Sequence, residues 1–199
     1  MLVVARTFQS PWYALATTMT IVQTERLILR NWCAADRQAF AQMNADPKVM
    51  EFMPATLSKS ESDSLAEKIE RHIQTHGFGL FAAELRSSQG FVGYIGLAIP
   101  TFQAAFGPCV EVGWRLSAIH WGKGLATEGA REVVRYAFNV LGLRELVSFT
   151  APANIRSRRV MEKLGMTHDP VDDFDHPKLP KGHPLRRHVL YRLKSLPPR

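Results

Sequence analysis

The spacing of apolar residues changes period near residue 120 of this chain. Just before that point Val110, Val112, Trp114 and Leu116 alternate with Glu111, Gly113 and Arg115, the two-residue repeat of a strand. Just after it Ala126, Ala130, Val133, Val134, Ala137, Phe138 and Leu141 recur every three to four residues, with Glu128, Arg131, Glu132 and Arg135 between them. That is one face of an amphipathic helix, predicted over 124–141. Upstream, Leu27 and Leu29 mark a first strand, Asp36 caps a helix through Ala45, and Ser58 or Ser60 opens a second that runs to about His76. Segments 80–85 and 91–99 read as a hairpin across the polar turn 86–90, and 110–116 completes the meander. Downstream come a strand at 146–150, a helix at 154–164, and late strands near Met166 and at 189–193. Strands first in series, then alternating with helices, predict an α/β (α+β) chain with a mixed central sheet of about six to seven strands flanked by helices.

Between the last meander strand and the long helix lies Trp121-Gly122-Lys123-Gly124-Leu125-Ala126. The first N–H groups of a helix have no intrahelical partner and carry partial positive charge, so small residues there let the backbone wrap a pair of phosphates. Spacing narrows the choice. A nucleotide P-loop needs four residues between its first glycine and a Gly-Lys-Ser/Thr, which is absent, and the dinucleotide fingerprint needs glycine where Thr127 stands. A plain strand-to-helix turn is the alternative. Further on, Ala153-Asn154-Ile155-Arg156-Ser157 opens the short helix and Lys163-Leu164-Gly165 ends it. Asn154 suits an N-cap and Gly165 a left-handed C-terminal turn, so Asn154 reads either as a cap or as a ligand contact.

These two segments resemble the GNAT N-acetyltransferase superfamily, whose glycine loop reads Gln/Arg-x-x-Gly-x-Gly/Ala and whose second motif reads Asn-x-x-Ser followed by Glu-Lys-Leu-Gly. Trp121 stands where Gln or Arg is commonest, and the Trp-Gly-Lys-Gly form is similar to the ribosomal-protein N-acetyltransferase (RimJ/RimL-type) branch. The resemblance covers roughly residues 24–194. It implies the GNAT fold, acetyl-CoA as co-substrate, and acetyl transfer to a primary amine without a covalent enzyme intermediate. It further implies that Trp121, Gly122, Lys123, Gly124, Leu125, Ala126 and Thr127 hold the pyrophosphate, and that Asn154 reaches the pantetheine amides. Ser157, Arg158 and Arg159 fall to the nucleotide end of the cofactor. The main chain of Val112, Gly113, Trp114, Arg115 and Leu116 holds pantetheine like an added strand and bonds the thioester oxygen. Many members carry a tyrosine aimed at the CoA sulfur just before Glu-Lys-Leu-Gly. Here that residue is Met161, so no general acid is assigned; a thiol of pKa about 8.5 needs little help to leave.

Glu111, of opposite parity to Val110, Val112 and Trp114, is the candidate general base, directly or through a water; a structural acceptor or a surface charge is the competing role. At pH 7 an α-amine is about 14% neutral and a lysine amine about 0.04%, so a weak base favours the α-amine of a protein or peptide N-terminus. A small-molecule amine stays open as the alternative. Trp32, Phe52, Met53 and Phe78 are candidates to line the acceptor, each equally suited to packing, and Asp172, Asp173 and Asp175 to attract a cationic amine.

With 199 residues, 46% of them hydrophobic, the chain can bury one substantial core, and 20–199 is expected to form one domain. Residues 1–19 carry one arginine and a Pro11 break and have neither a signal-peptide layout nor the ~20 apolar residues of a membrane span. They read as a leader, either a start placed too early, with Met19 as the true one, or a flexible arm. Cys33 and Cys109 are far apart, so neither a disulfide framework nor a zinc knuckle is expected, and a reducing cytoplasm fits. His168, His176, His183 and His188 lack ligand spacing, and no metal is expected. A net charge of +7 and a pI of about 9.7 raise a nucleic-acid- or ribosome-binding module as a rival. The basic residues are spread along the chain, apart from Arg156, Arg158 and Arg159 and the pair Arg186 and Arg187, and no RNA motif interleaves them with aromatics. Nucleic acid and membrane are therefore not expected as partners. A non-catalytic acyl-CoA-binding protein is the third reading, and monomer and homodimer both fit.

Overall fold

The computed structural model describes residues 19–103 and 106–195; apart from Met19, the expected leader lies outside them. Thr20–Gln23 (β1) and Leu27–Arg30 (β2) lead into the helices Asp36–Ala45 (α1) and Lys59–His76 (α2). The meander is Leu80–Leu85 (β3), Gly90–Ala98 (β4) and Glu111–Leu116 (β5). Then follow Leu125–Asn139 (α3), Glu145–Thr150 (β6), Ile155–Lys163 (α4), Thr167–His168 (β7), Phe174–Asp175 (β8) and Arg187–Lys194 (β9). The strands lie in the order β1-β2-β3-β4-β5-β6-β9-β7, with β8 on β9, which makes nine among the described residues against the six to seven expected. The additions left little trace in the sequence because β1 buries neither face fully and β8 is two residues long.

The helix boundaries follow from local chemistry. Ser58, not Ser60, caps α2: its backbone N–H donates to Glu61 Oε2 at 2.8 Å, and Glu61 N–H donates back to Ser58 Oγ at 3.3 Å. Asp36 departs from expectation. It is the first residue of α1 and lends no cap; its carboxylate turns back to accept from Cys33 N–H (2.9 Å) and from both terminal nitrogens of Arg30 (2.8 Å each). Arg30 is buried on β2 and also donates to Glu84 at 2.7 Å, so burial of this cation demands the acid. The bond to Asp36 is the largest cause raising the Arg30 pKa above its ordinary value. Asp36→Ala would leave that cation under-partnered and should cost about 3–5 kcal/mol in urea unfolding, partly recovered when Arg30→Met is added. A loss below 1 kcal/mol would show the pair to be dispensable.

Each face of the sheet carries its own core. Leu27, Leu29, Phe81, Ile95, Leu97 and Val112 pack on one side against α3 and α4, through Leu125, Val133, Ala137 and Met161. On the other, α1 and α2 bring Phe40, Met43, Ala66 and Ile69 onto Ala82 and Tyr94. Trp32, a candidate acceptor residue by sequence, belongs to this second core. It is edge-on to Phe40 at 4.8 Å, and its Nε1–H donates to the Leu80 carbonyl at 2.8 Å.

Candidate active site

All six residues of β5 pair with β4, yet on its other edge β5 meets the parallel strand β6 only at Glu111, opposite Val147. The two strands then part, leaving a fork. Val147 N–H donates to Val110 O on the β6 side, and Ser117 N–H donates to Val92 O on the β4 side, both at 2.9 Å. Strand alternation therefore turns the backbone groups of Val112, Trp114 and Leu116 toward the fork. The Leu116 carbonyl is taken by Trp121 Nε1–H at 2.8 Å, which pins the glycine loop to the end of β5. An extended polar chain could add to the remaining edge as a strand would.

The loop itself is shaped by Gly122 (φ +74°) and Gly124 (φ +80°), conformations that L side chains rarely adopt. Gly124 is the N-cap of α3 and contributes no side-chain cap, so the first-turn N–H groups of Leu125, Ala126 and Thr127 have no intrahelical acceptor. They open onto a cavity of about 320 Å³ also walled by Trp114, Arg115, Leu116, Trp121, Asn154 and Ser157. Among the residues expected there, Val112, Gly113, Lys123 and Arg158 are not part of the wall. The reason for Arg158 is helical spacing: it lies on the far side of α4, donating to Tyr191 Oη (3.3 Å) and Pro152 O (3.2 Å). Arg159, also expected there, lines the cavity together with Arg156 and Lys163, at intervals of three and four. Asn154 lines the cavity and also caps α4, accepting from Ser157 N–H at 3.2 Å while its amide donates to Thr150 Oγ1 at 3.0 Å.

Phe52 and Met53, expected at an acceptor, stand instead on the wall of this same cavity. Across it Arg156 pairs with Glu51 at 2.6 Å and lies 4.5 Å over the Trp121 ring, while Lys48 sits 5.8 Å from the same ring. Trp121 thus serves as a cation platform as well as a hydrogen-bond donor.

A second cavity, about 290 Å³, lies at the closed end of the fork, with Lys68, Ile69 and His72 of α2 in its wall. Glu111 lies in its wall among Leu80, Leu97 and Phe149. Burial alone pushes its carboxyl up to about 8, and among the described residues no ion pair holds it. Beside it His72 is locked neutral by backbone: Nε2 accepts from Ile99 N–H at 3.1 Å, leaving Nδ1–H to donate to the Phe78 carbonyl at 3.0 Å. Burial also lowers the His72 pKa. Phe78 packs on His72 and His76 and does not reach this wall. The expected acidic rim is already committed, since Asp172 binds Arg192 (2.6 Å), Asp173 binds His168 (2.8 Å) and Asp175 binds Arg186 (3.1 Å).

The sequence comparisons agree with this arrangement. Residues 26–167 match the family described as "Acetyltransferase (GNAT) domain". The chain belongs to this GNAT acetyltransferase family. It is similar to the uncharacterized N-acetyltransferase YnaD of Bacillus subtilis, at 29% identity over 81% of this chain and 89% of YnaD. It is also similar to FsC-acetyl coenzyme A-N(2)-transacetylase of Aspergillus fumigatus, at 33% identity over 74% of this chain and 65% of that protein. An acetyltransferase from Agrobacterium tumefaciens superposes with a TM-score of 0.70 at 26% identity, covering 94% of this chain and 100% of that one.

In this GNAT enzyme the site needs supports that spacing did not reveal. Arg26 of the β1–β2 turn donates from Nη1 to the Lys123 carbonyl at 2.9 Å and from Nε to Glu128 at 2.6 Å, so it braces the glycine loop against α3. Only contact across the sheet identifies it. Met161 is buried in the core, and the Tyr191 hydroxyl is taken by Glu162 (3.2 Å) and Arg158, so neither offers a proton to the cleft. Among the described residues no group of three or more His, Cys, Asp or Glu could hold a metal, and no helix is long and apolar enough to cross a membrane.

Proposed function

We propose that this GNAT enzyme moves an acetyl group from acetyl-CoA to a primary amine whose pKa lies near 8, with the α-amine of a peptide or protein N-terminus as the favoured class. The observation that carries the reading is the fork. It has a cavity with helix-terminal N–H groups and the α4 cations Arg156, Arg159 and Lys163, and at its closed end a half-buried carboxyl with no ion-pair partner among the described residues.

Acetyl-CoA fits the first cavity on chemical grounds. A Cβ at Gly122 would meet nothing within 4 Å and one at Gly124 only Arg26 Nη2 at 3.6 Å, so the loop leaves open space for a pyrophosphate beside the unpaired N–H groups of α3. Arg156, Arg159 and Lys163 supply charge for further phosphate, and the free edge of β5 offers a ladder to pantetheine amides. When bound, the cofactor supplies an acyl group activated as a thioester. The residues then orient and move protons: Glu111 takes a proton from the ammonium, main-chain N–H on the fork side of β5 bonds the oxygen that becomes negative, and as the C–N bond forms and the C–S bond breaks the nitrogen's second proton passes to the departing thiolate, which leaves as the thiol. A base of pKa about 8 matches an α-amine near 7.8 and falls more than two units short of a lysine at about 10.4. The Trp121-Gly122-Lys123-Gly124 loop supports the ribosomal-protein-type branch, which leans toward α-amines and also includes enzymes acting on small amines.

The test is thiol release from acetyl-CoA in the presence of free amines, unblocked peptides and N-terminally blocked lysine peptides. Release with the unblocked peptides and none with the blocked ones is expected. Comparable rates on blocked lysine would overturn the α-amine preference. Binding of acetyl-CoA without release to any amine would leave a non-catalytic binding protein, the reading to which the absent tyrosine at Met161 points.

A further inference from the structure

The acceptor-side cavity has a composition of its own. Its apolar wall includes Ile69 of α2, Leu80, Leu97, Phe102 and Phe149, with His176 tilted against Phe102 at a centroid distance of 4.6 Å. Two exposed cations complete it. Lys68 comes from α2, and Lys178 comes from the loop before β9, where its Nζ donates to Thr101 Oγ1. Neither lysine has a carboxylate partner among the described residues, and Glu111 is the one acidic side chain of the described wall. The aspartates that could have offset this charge are spent on Arg192, His168 and Arg186.

From this juxtaposition we infer that the acceptor is an amine that also carries an anionic group, its apolar body lying on Phe102 and Phe149, its amine at Glu111 and its anion at Lys68 and Lys178. The inference rests on the acetyl-transfer reading above and names the substrate class of that site. An ammonium alone would meet two like charges at the mouth and an apolar interior, whereas a carboxylate turns the same two charges into attraction and orients the amine inward. A polyamine, with several cations and no anion, is the acceptor class the mouth disfavours most. The anion has two sources, a small amino-carboxylate or an acidic residue next to a peptide N-terminus, and the chemistry at the lysines is shared.

The experiment measures kcat/KM by thiol release for amine pairs that differ in charge. The dipeptide amides Phe-Glu, Phe-Gln and Phe-Lys represent the peptide source, and 4-(aminomethyl)benzoate against 4-methylbenzylamine represents the small source. In the full chain the anionic member should be preferred by about tenfold at low salt, with the preference shrinking at 0.5 M salt. Whichever pair shows it identifies the source. In Lys68→Glu with Lys178→Glu the order should invert toward Phe-Lys and spermidine, while the shift in melting temperature caused by acetyl-CoA reports that the variant is folded. Equal rates across both pairs in the unmodified chain, or an order unchanged in a folded variant, would overturn the inference and leave acetyl transfer standing. Failure of every amine to release thiol would overturn acetyl transfer itself.

Discussion

Glu111→Gln should lower turnover by about 10²–10⁴-fold with little change in acetyl-CoA affinity, the loss expected when a general base is replaced by its neutral isostere. In the unmodified enzyme the rate should rise with pH and level off above about 8, because the carboxyl must be ionised to accept a proton and burial holds its pKa near that value. Other titrating groups face the same cavity: His72 and His176, both lowered by burial, Lys68 and Lys178, and the neighbouring Cys109, raised chiefly by burial and then by Glu111 itself. The glutamine variant therefore decides which inflection belongs to Glu111. Stability supplies a second readout with the opposite sign. The folded-state pKa of about 8 lies above the ordinary 4.5, so between these values the folded chain binds more protons than the unfolded one. Stability must then fall as pH rises from about 4.5 to 8, by a few kcal/mol, and stay low above that range. Glu111→Gln removes this decline, so the variant should melt higher than the original at pH 9 and together with it near pH 4. A variant of equal activity would return Glu111 to a structural role, and one no more stable at pH 9 would show that its carboxyl ionises freely.

Gly124→Glu should abolish acetyl-CoA binding. At a ligand concentration of 100 Kd, binding to the native state adds about 2.7 kcal/mol, which for a chain of this size is a rise in melting temperature of roughly 5–10 °C. A glutamate at the N-cap of α3 would place a chain and a negative charge where the helix offers its unpaired N–H groups, so the rise should vanish. The substitution also carries backbone strain, since φ at this residue is +80°. Gly124→Ala separates the two effects. It meets only Arg26 Nη2 at 3.6 Å, and it should lose about 1–2 kcal/mol of stability while keeping most of the cofactor-dependent rise. A full shift in the folded glutamate variant would remove the glycine loop from the cofactor site.

Period and punctuation determined much of this protein without its fold. The two-residue alternation of 110–116, the helical spacing after Gly124, the capping signature at Ser58 and the hairpin across 86–90 depend on near neighbours in the chain, so they were legible there and recur as β5, α3, α2 and the β3–β4 pair. The two motifs that resemble GNAT enzymes are likewise local, which is why the family could be read from them. What depends on distant pairing could not be read. Whether Asp36 caps a helix or neutralises Arg30 is decided by a buried cation on another strand, and Arg158 and Arg156 trade places because the phase of α4 against the sheet selects which residues face the cleft. Trp32, Phe52, Met53 and Phe78 share an apolar size that suits cores and pockets alike; the packing of α1 and α2 puts the first in a core, the next two on the cavity at the N-terminus of α3 and the last against His72 and His76. The sheet's split after Glu111 is the deepest such fact. One lost ladder beside a half-buried carboxyl leaves two cavities along one strand, and only the tertiary structure holds them there, because parallel pairing of β5 with β6 joins segments that a whole helix separates in sequence.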